Sequence, residues 1–380
     1  MPNRTKIIFA NQLRGIAAIS VLVTHYAFVA QMVRPMVGWV VAAPELSGPI
    51  SPVATWVQAL PVDPSATGVG LFFLLSGFVI PYSLDRTGPL PFLLARAARI
   101  FPTFWAALLL EWSAVCLSGH YWHRSSPFGW ADYLCNGSLL NILLGRPSVD
   151  WVSWTLSIEV KFYLAAALLK GPMRRHPAFC TLALSALALA LNVVAARGSV
   201  SMPPRLAGES TCVAFILIGW LFHAHLVGRL GARSFLAATV ATMALVLLCW
   251  KLGPLASEFA GRSRSFIAAL LIFSVCYRLR DRFRSSALLD GAAAISYPLY
   301  LLHAVVGFAI MTFLTNALGI PYLGSASAAL VICIALAVGL HVLIEKPSIR
   351  LGHRIASGWR RRSPGAILVA PIGGVASPGR

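Results

Sequence analysis

Charge is what this sequence has least of. Only 11% of its 380 residues are Asp, Glu, Lys or Arg, against roughly 25% in a soluble domain. Too few groups remain to cover a folded surface in water, which excludes a soluble globular domain and with it a nucleic-acid-binding module. Acidic residues are the scarcer sign, 12 against 31 Lys and Arg. The seven cysteines (Cys116, Cys135, Cys180, Cys212, Cys249, Cys276 and Cys333) form no CxxC pair and lie mostly in apolar runs, so neither a zinc site nor a disulfide framework is expected. They read as small buried hydrophobes. No internal repeat of fixed period is visible, which counts against the two-fold repeats of many transporters. What is abundant is hydrophobic residues, 58% of the chain, with a mean hydropathy of +0.76. The expected fold class is an all-α polytopic membrane protein.

A transmembrane helix needs about 20 mostly apolar residues. Ten segments qualify: 8–29, 68–84, 101–117, 151–169, 177–196, 210–227, 235–252, 266–277, 292–318 and 323–344. The eighth is short. Basic residues near span ends set orientation, because their translocation is disfavoured. With the N-terminus inside, the inner segments hold Arg4 and Lys6, Arg86, Arg96 and Arg99, Lys170, Arg174 and Arg175, Arg229 and Arg233, the arginines from Arg278 to Arg284, and the basic stretch from Lys346 to Arg362. The outer segments hold only Arg34, Arg124, Arg146, Arg197, Arg205, Lys251, Arg262 and Arg264. Ten spans with both termini cytoplasmic are expected, and most of the net charge of +19 becomes an orientation signal, with anionic membrane lipids as contacts. Asn11, Gln12 and Arg14 interrupt the apolar core that a cleavable signal peptide would need, so the first helix is expected to be retained. Residues 352–380, rich in Gly, Pro, Ser and Arg, are expected to form a disordered cytoplasmic tail, with no further folded domain after the tenth span.

An ionisable side chain in mid-membrane costs on the order of 2.5 to 3.5 kcal/mol on insertion scales and marks a partner or a watery cavity. The candidates are Arg14, His25, Glu111, Glu159, Lys161, His303, His341 and Glu345. Arg14 and His25 are 11 residues apart, which leaves them about 20° from one another on a helix and about 16 Å apart along it. One face thus carries a cation near its inner end and a titratable imidazole deeper in, an arrangement suited to an elongated anionic substrate. The alternative is that Arg14 snorkels to lipid headgroups and His25 is a satisfied core histidine. Arg96 and Arg99 share a helix face and suit a phosphate, or serve orientation alone. Glu159 and Lys161, two apart, face different ways, so Glu159 is expected to find its partner on another helix. Ser296, Tyr300 and His303 form one polar stripe, and His341 and Glu345 pair within one turn.

Several segments together resemble the membrane-bound acyltransferase family 3, bacterial O-acyltransferases that modify lipopolysaccharide, exopolysaccharide, Nod factors and some antibiotics. They are Leu13-Arg14-Gly15-Ile16-Ala17-Ala18 with His25, the run Gly68 to Phe78, Arg96 and Arg99 before Ile100-Phe101-Pro102, and Trp154 to Glu159 with Phe162-Tyr163, followed by Ser296 to His303 and Glu345-Lys346-Pro347. The resemblance implies one transmembrane acyltransferase domain over residues 1–351 in a bacterial inner membrane. It implies that His25 and Arg14 are essential, that Arg96 and Arg99 contact the acyl-CoA, and that Ser76, Glu159 and Glu345 matter structurally or catalytically; beside it, Arg14 is a further candidate donor contact, and Tyr300 and His303 are candidates for supporting the site. Two positions depart from the family pattern: Asn11 and Gly70 stand where acidic residues are usual. That leaves Glu159 as the carboxylate expected near His25.

The expected reaction is transfer of an acyl group, acetyl first, from cytoplasmic acyl-CoA to a hydroxyl of a saccharide or glycolipid, with His25 as general base and Ser76 or Tyr300 donating to the oxyanion. Acyl-CoA is a substrate; no tightly bound cofactor and no metal are expected. The outer loop from His120 to Asp150, with Tyr121, Trp122, Trp130, Tyr133 and Trp151, is suited to stacking on sugar rings. The competing readings are an acceptor that is a small secondary metabolite, or a membrane transporter without transferase activity.

Overall fold

The helices begin and end where the sequence supplies the punctuation. In a computed structural model, which describes residues 5–198 and 203–362, the main helices are α1 (Thr5–Thr24), α2 (Pro64–Thr87), α3 (Pro89–Trp122), α4 (Trp130–Gly137), α5 (Ser153–Leu168), α6 (Pro177–Ala196), α7 (Pro204–Leu226), α8 (Ala232–Leu252), α9 (Phe259–Arg278), α10 (Ala287–Leu302), α11 (Val305–Asn316), α12 (Tyr322–Leu340) and α13 (Lys346–Arg362). Among the described residues there is no strand. Asp63 caps α2 by accepting from the backbone N–H of Ser65 at 2.7 Å and of Ala66 at 3.2 Å, with Pro64 pre-set for the first turn. Gly88, at φ 85°, ends α2 and begins α3, a conformation that a side chain would strain.

Helix α2 is the centre of the bundle, packed against α1, α7 and α9. Its closest approach is to α7. A Cβ on Gly77 would collide with the Ile216 carbonyl, and one on Gly219 with the Leu74 carbonyl. Small residues let helix backbones meet where no water is available to drive association. Gly219→Val is accordingly expected to separate these helices and cost about 3 kcal/mol or more, read as a lost or strongly lowered unfolding transition of the detergent-purified protein. Peripheral α6 and α12 leave most of their apolar surface facing outward, the pattern of a lipid-facing helix.

Eight helices among the described residues are long and apolar enough to cross a membrane, nine if the bent pair α10 and α11 is one span. Three differences from the sequence expectation have physical causes. The expected span 151–169 is α5, only 16 residues long, about 24 Å and short of a hydrocarbon core of about 30 Å. The expected span 292–318 is broken by 70° between Leu302 and Val305. In the last turn of α10 the Tyr300 carbonyl is taken by the His303 ring, a side chain intruding on the helical ladder. The short eighth span is lengthened to the 20 residues of α9, because Arg262 is held by Glu258 at 2.6 Å and stacks on the rings of Trp154 and Trp250 instead of ending the helix.

Of the expected tail, residues 352–362 continue helix α13. Gly352 in this stretch packs closely on α3: a Cβ there would stand 2.9 Å from that of Ala98 and 3.3 Å from the Ala95 backbone. Residues 363–380 lie outside the described residues. The rod Tyr322–Ser357 and the 34-residue α3 each exceed 50 Å by the helical rise. They therefore extend beyond a bilayer core together, with Arg96 and Arg99 in the part of α3 that α13 supports.

Candidate active site

Five helices converge on a cavity of about 210 Å³. Each contributes residues at helical spacing: Asn11 and Arg14 from α1, Phe72 and Ser76 from α2, Arg96 and Arg99 from α3, Thr155, Glu159 and Tyr163 from α5, and Ser296, Tyr297 and Tyr300 from α10. Its charged lining is three guanidiniums against one carboxylate. Among the described residues none of Arg14, Arg96 and Arg99 makes a salt bridge. Unpaired cations in a partly enclosed cavity attract an anionic ligand.

The cavity has two distinct ends. The Arg96 guanidinium lies 5.5 Å from the centres of both the Phe92 and Tyr163 rings, a cation–π arrangement that holds it in place. Two turns away on α5, about 12 Å, Thr155 Oγ1 meets the Tyr300 hydroxyl at 3.1 Å. Tyr300 also packs edge-on against Phe72, ring centres 5.6 Å apart. The cavity thus runs from an arginine end to a tyrosine end.

Glu159 does find its partner on another helix: Ser76 Oγ donates to its Oε1 at 2.5 Å. It does not orient His25, contrary to expectation. That role falls to His303, fully buried, whose Nε2 is 3.0 Å from His25 Nδ1. The His303 Nδ1 lies 2.7 Å from the Tyr300 carbonyl, and a carbonyl only accepts. His303 therefore carries its proton on Nδ1, and the neutral ring accepts at Nε2 from the His25 Nδ1–H. The His25 Nε2 lone pair is left free. A π-turn, His25–Val29, starts at this residue, and such turns re-aim side chains. Tyr26 locks the same turn in place, since its hydroxyl occupies the space that a Cβ on Gly307 would need.

His25 itself does not line the cavity; it stands behind Tyr300, one imidazole removed. The remaining expectations divide. The polar stripe Ser296, Tyr300 and His303 is present, and so is the His341–Glu345 pair, Nδ1 to Oε2 2.6 Å. Glu345, buried in a second π-turn, does not line the cavity and braces the junction of α12 and α13. Lys161 bonds Ser157 at 3.0 Å and pairs with Glu209. The two absent acids are accounted for. A Cβ on Gly70 would stand 2.8 Å from that of Ala269 and close to Phe215 and Phe266, so position 70 faces α7 and α9 and has no room for a carboxylate. Asn11 donates to Asp290 Oδ1 of α10 at 3.0 Å, which puts an acid on the neighbouring helix instead.

The sequence assigned no site role to Thr155, Tyr163, Asp290 or Asp150, although Thr155 and Tyr163 fall within matching segments. The last is a loop residue whose Oδ1 accepts the Val152 N–H at 2.9 Å and so organises the start of α5; burial raises its carboxyl to about 7. Only tertiary contact shows what each of them does.

Fold and site together describe a multi-pass membrane protein with a polar, arginine-lined site among its helices. The family is narrower: the acyltransferase-3 model, described as an acyltransferase domain, matches residues 7–342, and the chain belongs to that family. It is 26% identical over 322 residues to the exopolysaccharide production protein ExoZ of Rhizobium meliloti (strain 1021), an alignment covering 78% of this chain and 94% of ExoZ. No solved structure matches it.

Proposed function

We propose that the protein is an integral inner-membrane O-acyltransferase that moves an acetyl group from cytoplasmic acetyl-CoA to a hydroxyl of an extracytoplasmic saccharide. The observation that carries this reading is the cavity with three unpaired guanidiniums at one end and, at the other, a tyrosine backed by a histidine with a free lone pair. The basic residues ahead of α1 (Arg4 and Lys6) and around the junction of α2 and α3 (Arg86, Arg96 and Arg99) support a cytoplasmic N-terminus and an arginine end that opens inward. Acetyl-CoA is long and anionic at its nucleotide end. Its phosphates suit Arg14, Arg96 and Arg99, and its thioester reaches toward Tyr300. The saccharide reading of the acceptor follows the relationship to ExoZ.

In the proposed step the acceptor hydroxyl approaches beside Tyr300 from the side of His25, whose Nε2 removes its proton as its oxygen attacks the thioester carbonyl, so that His25 serves the acceptor and not the bound donor. The imidazolium is stabilised through its Nδ1–H bond to His303, itself anchored on the Tyr300 carbonyl. The same proton then passes to the departing CoA thiolate, so that no net proton is taken up or released. Glu159, bonded to Ser76, offsets part of the arginine charge when the cavity is empty.

The test is acyl transfer by the purified protein from labelled acetyl-CoA, together with mass spectrometry of envelope glycans and secreted metabolites from cells with and without the gene. Added acetyl esters on a glycan are the expected result. Esters on a small metabolite would replace the acceptor, and a protein that moves solutes but never releases CoA would be a transporter.

A further inference from the structure

Acyl transfer passes through a tetrahedral intermediate whose oxyanion needs a positioned hydrogen-bond donor. Two hydroxyls in the cavity have the chemistry, and the geometry separates them. Ser76 has given its only proton to Glu159 at 2.5 Å, a charge-assisted bond that an oxyanion would have to break. Tyr300 is different. Its hydroxyl neighbour is Thr155, whose single proton is within reach of two acceptors, the Val152 carbonyl at 2.9 Å and the Tyr300 oxygen at 3.1 Å. With that proton on Val152, Tyr300 donates to Thr155 Oγ1. With it turned to Tyr300, the tyrosine proton is free to enter the cavity. The Val152 carbonyl does not lose its last partner in the exchange, since it also accepts the Thr155 backbone N–H at 3.3 Å.

Building on the acyltransferase reading, we propose that Tyr300 is the oxyanion donor, a catalytic residue, and that Thr155 is the positioning residue that releases its proton. As the acceptor oxygen forms its bond to the thioester carbon, the carbonyl π pair moves onto oxygen. That oxygen accepts from Tyr300 while Thr155 rotates to donate to the tyrosine. Collapse re-forms the carbonyl, breaks the carbon–sulfur bond, and returns Tyr300 to Thr155. One residue thereby couples both halves of the site: its hydroxyl receives the developing charge, and its backbone carbonyl fixes the tautomer of the His303–His25 pair. The two functions are set in register by a single turn of α10.

The experiment follows labelled acetate into esters on extracted glycans and secreted metabolites of cells lacking the native copy and carrying wild type, Tyr300→Phe or Thr155→Val at matched expression. Calorimetric binding of acetyl-CoA to each purified protein runs in parallel. Tyr300→Phe, which keeps the ring against Phe72, is expected to lower the initial rate about 10²- to 10³-fold with acetyl-CoA affinity unchanged. Thr155→Val is expected to lower it about tenfold. A Tyr300→Phe rate within about twofold of wild type overturns the assignment, as does a loss matched by an equal loss of acetyl-CoA binding, which would make the hydroxyl a binding group. No ester formed by the wild type, with acetyl-CoA unbound, overturns the acyltransferase reading itself.

Discussion

Replacing His25 with alanine is expected to lower acyl transfer by about 10²- to 10⁴-fold, the contribution typical of a general base. The expectation rests on a tautomer chain and not on the residue type alone. The Tyr300 carbonyl holds the proton of His303 on Nδ1, His303 accepts from His25, and the free Nε2 of His25 is thereby the basic atom. Because the ring lies behind the cavity wall and contributes nothing to its lining, acetyl-CoA should bind the variant as it binds the wild type. The loss should therefore fall on kcat, with the KM for acetyl-CoA little changed, and imidazole in the assay should restore part of the rate. Normal transfer by a folded His25→Ala protein would dispose of both direct transfer and an acyl-histidine intermediate; accumulation of labelled acyl-enzyme without acceptor would favour the second.

Replacing Arg96 and Arg99 together with alanine should produce an effect of similar size on a different constant. Hydrogen bonds to charged groups contribute roughly 1.5 to 3 kcal/mol each, so losing two should weaken acetyl-CoA binding about 10²- to 10⁴-fold, measured by calorimetry on the purified protein. Part of the Arg96 contribution is its own preorganisation over Phe92 and Tyr163. Lysine at that position keeps the charge but not the planar fork and should recover only a fraction. Affinity for the acceptor should stay within a few-fold, and equal losses for both substrates would refute the phosphate clamp.

How far the sequence reached is clearest at particular residues. The stripe Ser296, Tyr300 and His303 and the His341–Glu345 pair are consequences of helical periodicity, which is local and readable. Glu159 shows the limit. Its spacing from Lys161 predicts a partner elsewhere, but that the partner is Ser76 and not His25 depends on how α5 crosses α2. Gly352 shows the reverse error, a residue whose composition reads as tail and whose role is close packing on α3.

The sequence by itself determined that this is a helical membrane protein, roughly where its helices run, and which polar side chains stand out against an apolar background, because each of these follows from hydrophobic length and a 3.6-residue period. Only the tertiary structure decided which of those side chains meet. The pairing of His25 with His303, 278 residues away, the break between α10 and α11 beside it, and the joining of Arg14 on α1 to Arg96 and Arg99 on α3 in one cavity depend on helix crossings. Those crossings are fixed by backbone contacts such as Gly77 on Gly219, which no periodicity along one helix encodes.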